Sequence, residues 1–164
     1  MSDPVRQLVE QHNQLRRLFK QVPRLETHQS AADRAYAICD LVTVHSRLEE
    51  EIVYPFARAI NPAMADEADA AHARAKALVD RFNELDYMTN HVVKHYMARL
   101  EGIVMTHARW EEDHLLPLVS ALANEQFDWI GRAVYERHQE LLREYSDSLE
   151  TKSDTEGYSG GPLL

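Results

Sequence analysis

The sequence predicts an all-α protein, namely an antiparallel four-helix bundle with an additional C-terminal helix. Apolar residues recur at spacings of three and four along several long stretches, which is the period of an amphipathic helix. The 164 residues include only 5 Gly and 6 Pro, so the chain has few of the residues that punctuate a many-stranded protein. Sustained alternation of apolar and polar residues, the pattern of a half-buried strand, is absent.

The first helix is predicted to start at a capping Ser2 or Asp3, with Pro4 in its first turn. Its inward stripe consists of Val5, Leu8, Val9, His12, Leu15 and Phe19. Residues 23–30 are interpreted as a connection, and Ser30 at its end is a candidate cap for the next helix.

The second helix is predicted over about 31–60, because Asn61-Pro62 ends it. Pro55 lies inside this stretch, and we expect it to kink the helix or to end its regular part. The inward positions are Ile38, Leu41, Val42, His45, Glu49, Ile52, Val53 and Phe56. The third helix begins near Pro62 and carries His72, Ala75, Val79, Phe82 and Leu85 on one stripe.

A turn is predicted over 86–90, and a fourth helix follows from His91. In this helix Pro117 repeats the placement of Pro55 in the second. The inward stripe consists of Val93, Tyr96, Met97, Leu100, Val104, His107, Glu111, His114 and Leu118.

The fifth helix is predicted over about 125–149. Its stripe aligns Phe127, Ile130, Val134, His138, Leu141 and Tyr145. The residues beyond it are rich in Ser and Gly, which favour disorder. We therefore expect one helical bundle domain over 1–150 and a flexible C-terminal tail over 151–164.

Composition excludes several classes of protein. The net charge of −9 argues against nucleic-acid binding, which depends on clustered Lys and Arg. A single cysteine, Cys39, rules out an internal disulfide framework and fits a reducing compartment. No signal peptide is visible, and no stretch approaches the roughly 20 apolar residues of a membrane span. We therefore expect a cytoplasmic protein, but composition does not explain its nine histidines.

Two eleven-residue segments of the chain repeat one another. Residues 45–55 read His-Ser-Arg-Leu-Glu-Glu-Glu-Ile-Val-Tyr-Pro, and residues 107–117 read His-Ala-Arg-Trp-Glu-Glu-Asp-His-Leu-Leu-Pro. On a helix, the His and the Glu four residues later share one face in each copy. The preceding helix of each half adds one more inward histidine, His12 or His72.

Packing the two halves together predicts one layer of four imidazoles and two carboxylates. A buried carboxylate costs several kcal/mol unless it is compensated, so Glu49 and Glu111 require a cation or a proton. Imidazoles and carboxylates without thiolate suit a non-haem di-iron or related dinuclear centre in a helical bundle. Glu50 and Glu112 are candidates to orient the ligands. The candidate metal ligands are His12, His45, Glu49, His72, His107 and Glu111.

This pattern over residues 8–118 resembles the hemerythrin-like, or HHE cation-binding, domain. The resemblance implies a four-helix bundle with two non-haem iron ions, with or without an oxo or hydroxo bridge, and with zinc or manganese as less favoured occupants. It also implies that the six candidates are the ligands, that both glutamates bridge, and that oxygen, nitric oxide or peroxide binds.

The chain departs from the oxygen-carrying hemerythrins at two positions. Lys76 stands where they have a second histidine, and Glu111 stands where they have an aspartate. The four-His, two-Glu set is similar to that of di-iron proteins that repair damaged iron–sulfur clusters. The sequence shows no counterpart of their cysteine-bearing N-terminal domain.

The remaining histidines and aromatic residues have simpler interpretations. His114 lies two turns after His107, where it can be an outer group of the site, a gate or a core histidine. His91 and His95 precede the level of His107 by roughly 18–24 Å and are interpreted as helix surface. The others are expected to be packing or solvated residues, namely His28, His138 and the Tyr and Trp residues, Trp110 included.

Three functions follow as hypotheses. The first is a di-iron protein that binds or senses oxygen or nitric oxide, or acts in iron, oxidative or nitrosative stress. The second is a di-iron enzyme that turns over peroxide or nitric oxide or repairs iron–sulfur clusters. The third is a bundle in which the metal is structural. A monomer and a small homo-oligomer are both compatible with the sequence.

Overall fold

The structure, a computed structural model, describes residues 3–86 and 88–156, with side chains described up to residue 145. All regular structure in these residues is helical, which confirms the all-α prediction. A short 3₁₀ turn, Val22–Arg24, follows the first helix. The α-helices are α1 (Pro4–Phe19), α2 (His28–Leu48), α3 (Tyr54–Ile60), α4 (Pro62–Asn83), α5 (Asn90–Trp110), α6 (Leu116–Ser120) and α7 (Asn124–Glu156).

Side-chain caps fix where four of the helices begin. The Asp3 side chain caps α1, as predicted, by accepting a backbone N–H at 3.0 Å. The cap of α2 is Thr27 and not Ser30, because the Thr27 hydroxyl accepts the N–H of Ser30 at 3.1 Å. Asn61 and Thr89 cap α4 and α5 in the same way. These short polar side chains satisfy N–H groups that have no partner inside the helix.

A π-helical turn, Glu49–Val53, joins α2 and α3 into one continuous helix. The N–H of Tyr54 donates to the carbonyl of Glu49, five residues back. Pro55 follows directly, and proline cannot donate the regular hydrogen bond of an α-helix. Because the widened turn accommodates the proline, the helix continues to Ile60. Its regular α-helical part ends early, at Leu48, which is one of the two alternatives predicted for Pro55.

The second half of the chain repeats this arrangement of a π turn followed by a proline. A π-helical turn, Glu111–Leu115, joins α5 to α6, and the N–H of Leu116 donates to the carbonyl of Glu111. Pro117 follows it, as Pro55 follows the first turn. Each copy of the repeated segment therefore contains a π turn that begins at its candidate glutamate ligand.

Two apolar clusters fill the bundle, one on each side of the candidate ligands. The upper cluster includes Leu15, Ile38, Leu78 and Leu100, and the lower cluster includes Leu8, Leu48, Ala65 and Leu115. Along the chain, α1 and α4 run from the lower to the upper cluster, whereas α2 and α5 run from the upper to the lower. The four helices are therefore antiparallel in sequence order, with the ligand layer between two apolar layers.

The fifth long helix, α7, packs against α1, α2 and the first π turn. Its buried side chains Ile130, Val134 and Leu141 join the lower cluster. An ion pair between Arg137 and Glu51, at 2.7 Å, adds a surface contact to the π turn. Exposed ion pairs contribute little to stability, so apolar burial holds α7 in place.

Parts of two predicted segments lie outside the described residues. In the turn predicted over 86–90, Tyr87 is not described, and α5 begins at Asn90. At the C-terminus α7 continues to Glu156, and residues 157–164 of the predicted tail are not described. None of the described helices combines the length and the apolar composition that crossing a membrane requires.

The packing of α7 yields a stability prediction. Leu141 is 0% exposed, so Leu141→Ala should lower the free energy of unfolding by about 2–5 kcal/mol through lost burial and a residual cavity. Tyr135→Ala, on the same helix at 56% exposure, is the control and should change it by about 0.5 kcal/mol or less. Urea unfolding at fixed metal content measures both. Equal stabilities for the two variants would show that α7 does not dock in solution.

Candidate metal centre

The structure brings all six candidate ligands together between the two apolar clusters. The carboxylates of Glu49 and Glu111 are 0% exposed. One group of ligand atoms within 4.8 Å of one another comes from His12, His45, Glu49 and Glu111, and a second comes from Glu49, His72, His107 and Glu111. Both carboxylates belong to both groups, so the layer has the form of two positions that share two ligands.

Each carboxylate lies between a histidine of its own helix and a histidine of the other half. Glu49 Oε2 is 3.3 Å from Nε2 of His45 and 3.3 Å from Nε2 of His72. This placement follows from the helix, since residues four apart share a face, and from the packing of α4 against α2 and α3.

The second carboxylate has equivalent neighbours. Glu111 Oε1 is 3.1 Å from Nε2 of His107, and Glu111 Oε2 is 3.3 Å from Nε2 of His12. Two carboxylates that each connect one histidine pair to the other are placed as bridging ligands of a dinuclear site would be.

Three of the histidines are oriented by a partner on their outer nitrogen. Nδ1 of His12 lies 2.9 Å from Oε1 of Glu112, and Nδ1 of His72 lies 2.9 Å from Oε1 of Glu50. These contacts agree with the predicted orienting role of both glutamates. The third partner is Gln11, whose Oε1 lies 2.9 Å from Nδ1 of His45. An Nδ1–H held in this way leaves the Nε2 lone pair facing the centre, as metal ligation requires.

The chemistry of the layer fits metal cations. Glu49 Oε1 and Glu111 Oε2 are buried without a hydrogen-bond donor among the described residues. Nε2 of His12 and Nε2 of His45 are 3.2 Å apart, and in the tautomers set by their outer partners their lone pairs face each other. A cation between these atoms compensates both the buried charge and the facing lone pairs. The nitrogen and oxygen donors, without sulfur, suit iron or zinc.

The buried groups of the layer differ in how readily they ionise. Burial raises the pKa of Glu49, and the nearby charge of Glu111 adds to the effect. Burial opposes ionisation of Glu111 as well, but the neighbouring imidazoles of His107 and His12 hold the pKa of Glu111 well below its usual value. Burial also lowers the pKa of His45, with His12 adding to the effect. Metal ions and protons therefore compete for the same ligand atoms in this layer.

Tyr54, like Gln11, is a site residue that the sequence did not identify. Its hydroxyl donates to Oε1 of Glu111 at 2.7 Å and lies 2.9 Å from Nε2 of His72 and 3.1 Å from Nε2 of His107. Burial raises the pKa of this phenol, so it remains protonated. The corresponding residue of the repeat is Leu116. Among the four histidines, the hydroxyl contacts only the two of the second group, so the two groups differ chemically.

The other residues considered from the sequence do not join either group in the described part of the chain. His114 is exposed, donates from Nδ1 to the carbonyl of Trp110 at 2.8 Å and stacks on the Trp110 ring. Trp110 in turn stacks on His107, at 6.0 Å between ring centroids. Lys76 is exposed and pairs with Asp80. The remaining histidines also lie away from the layer, namely His28, His91, His95 and His138.

The two overlapping groups predict a metal stoichiometry. Protein loaded with metal and then desalted should contain two ions per chain, one for each group. His12→Ala removes a donor of the first group and His72→Ala removes a donor of the second, so each should lower the content to one ion or fewer. His91→Ala changes an exposed histidine and should retain both ions. Elemental analysis measures this, and full loading of the His12 and His72 variants would reject the assignment.

Comparison with known proteins agrees with this geometry. A family profile described as the Hemerythrin HHE cation binding domain matches residues 3–119, which is more than half of the chain. Neither the curated proteins nor the solved structures give a match. The matched range covers α1 to α5 and all but the last residue of α6, and it includes all six candidate ligands. The chain belongs to the hemerythrin HHE cation-binding domain family, and its buried histidines and glutamates form a candidate metal site.

Proposed function

We propose that the chain is a non-haem di-iron protein that binds or senses a small diatomic ligand, oxygen or nitric oxide. The observation that carries the proposal is the sharing of Glu49 and Glu111 between two pairs of histidines. Each position then has two imidazoles and two shared carboxylates. Iron bound by two histidines and carboxylate with further positions open is the arrangement used by non-haem iron proteins that handle oxygen. Zinc and manganese are less favoured occupants.

The residues of the layer have separate roles in this proposal. His12 and His45 hold the first ion, and His72 and His107 hold the second. The two glutamates bridge the positions and supply negative charge that offsets that of the cations. Iron, when bound, supplies an open coordination position and a reversible change of oxidation state. The apolar clusters above and below exclude bulk water from the layer.

The hydroxyl of Tyr54 gives the second position a hydrogen-bond donor. In the structure it donates to Glu111, at 2.7 Å. A ligand held at the second position comes within reach of the same O–H group, because the hydroxyl is about 3 Å from both histidines there. The residue that corresponds to Tyr54 in the other copy of the repeat is Leu116, which has no O–H group to donate. We therefore assign ligand binding to the second position.

A role in iron, oxidative or nitrosative stress and a cytoplasmic location are parts of the same proposal. The thiol of Cys39 supports a reducing compartment, because it is free and buried in the upper cluster. Burial raises the pKa of this thiol to about 12, so it does not act as a reactive cysteine. The redox chemistry that we propose therefore belongs to the metal layer.

Nitric oxide binding tests the proposal. Reduced, iron-loaded protein should change its visible absorption on addition of nitric oxide, because the ligand binds iron directly. Zinc-loaded protein is the matched control and should show no change, since zinc has no redox or d-electron chemistry. Iron-loaded protein that contains two ions per chain and changes neither with nitric oxide nor with oxygen would leave only a structural role for the metal.

The second candidate, an enzyme that turns over peroxide or nitric oxide, is favoured by the hydroxyl of Tyr54. Disproportionation of peroxide, in which two peroxide molecules give two waters and one oxygen molecule, needs no external reductant, and a proton donor beside the position where a ligand binds would assist it by protonating the oxygen that leaves as water. This candidate predicts consumption of peroxide far beyond one equivalent per site. Tyr54→Phe should then lower the rate by about 10²–10⁴-fold at unchanged iron content. Stoichiometric consumption, or equal rates for the variant and the parent, would favour a binding or sensing protein.

Repair of iron–sulfur clusters requires a separate assay of iron donation.

A further inference from the structure

A small pocket leads from the surface to the candidate metal centre between α2, α4 and α5. Three of the candidate ligands, His45, His72 and His107, form its inner end. At its rim Ser46 and Ile103 are only half-buried. The pocket volume is about 10 Å³, close to the roughly 10–15 Å³ that a cavity needs to hold one water molecule. It therefore suits one diatomic molecule and excludes an organic substrate.

The pocket exists because the two halves of the chain differ at two positions. In the sequence repeat Gln11 and Leu15 of α1 correspond to Ala71 and Ala75 of α4. The two alanines line the pocket. On the α1 side, Gln11 reaches Nδ1 of His45, at 2.9 Å, and Leu15 is buried in the upper cluster. The equivalent space is thus filled in the first half and open in the second.

The ring of His107 reflects the same difference. Its Nε2 contacts Glu111 at 3.1 Å and Tyr54 at 3.1 Å. Its Nδ1 has no hydrogen bond with any described residue, whereas Nδ1 of the corresponding His45 has Gln11. The difference follows from the sequence, because Ala71 stands where the first half has Gln11 and its methyl group cannot hydrogen-bond to the ring. The pocket therefore opens directly against a ligand of the second position.

We propose that this pocket is the access route of the small ligand and that the small side chains of Ala71 and Ala75 determine its width. The inference rests on the proposed function, because it assumes that the centre binds an exogenous ligand. Apart from the histidines, the inner wall is aliphatic, which favours an uncharged ligand such as nitric oxide or oxygen over a hydrated ion. The route reaches His72 and His107, the two histidines of the second position, and also His45 of the first.

Stopped-flow measurements with nitric oxide test the route. Ala75→Leu places in α4 the side chain that α1 already has at Leu15, and leucine is a good helix former. At unchanged iron content this variant should lower both the association and the dissociation rate at least about tenfold, because the ligand enters and leaves by the same path. Ala77→Leu, on the exposed face of α4, is the matched control and should stay within about twofold of the parent.

A second variant tests the route from the opposite direction. Ile103→Ala widens the rim and should raise the association rate by at least about twofold, even if Ala75→Leu does not fold. Parent rates in a folded Ala75→Leu variant, or an unchanged rate in Ile103→Ala, would overturn the access route and leave the proposed function intact. A parent protein that holds iron and binds no nitric oxide would overturn both.

Discussion

The structure depends on burying two carboxylates in the middle of a small helical bundle. Glu49 and Glu111 are fully buried, and one oxygen of each has no hydrogen-bond donor among the described residues. Uncompensated charge in such surroundings is costly enough to oppose folding. Four imidazoles from four different helices surround the pair, and two apolar clusters isolate the layer from water. Cations at this level compensate the charge and connect all four helices at once.

Most of the candidate site could be predicted from the sequence because the chain carries it twice. A single inward histidine is weak evidence for a metal site. Here, however, the His-x-x-x-Glu motif occurs twice, and each copy follows a helix that carries one more inward histidine, which leaves few alternatives to a dinuclear site. The helix period then places the six residues in one layer, where the structure has them. The orienting glutamates Glu50 and Glu112 also follow from the repeat, since each is the neighbour of a candidate ligand.

Tyr54 and the π turns could not be predicted in the same way. In a regular α-helix five residues turn the chain by about 500°, which puts Tyr54 about 140° from the face of Glu49. The π turn widens the helix between the two residues and brings both side chains to the centre. Proline at position 55 signals a disturbance of the helix, but propensity alone does not distinguish a kink, an end and a π turn. The role of Gln11 could not be predicted for a different reason: its side chain is a neutral amide, and nothing in the sequence pattern marks it as a partner of His45.

The π turns also constrain how this chain can change in evolution or by design. In each copy the histidine, the glutamate and the proline occur at fixed offsets along eleven residues, and the widened turn lies between the last two. Adding or removing one residue there would rotate the side chains that follow, Tyr54 in the first copy among them, away from the face that carries the glutamate. Substitutions can accumulate on the outer faces of these segments, whereas insertions and deletions cannot. Length, more than composition, is the conserved quantity that we expect between His45 and Pro55.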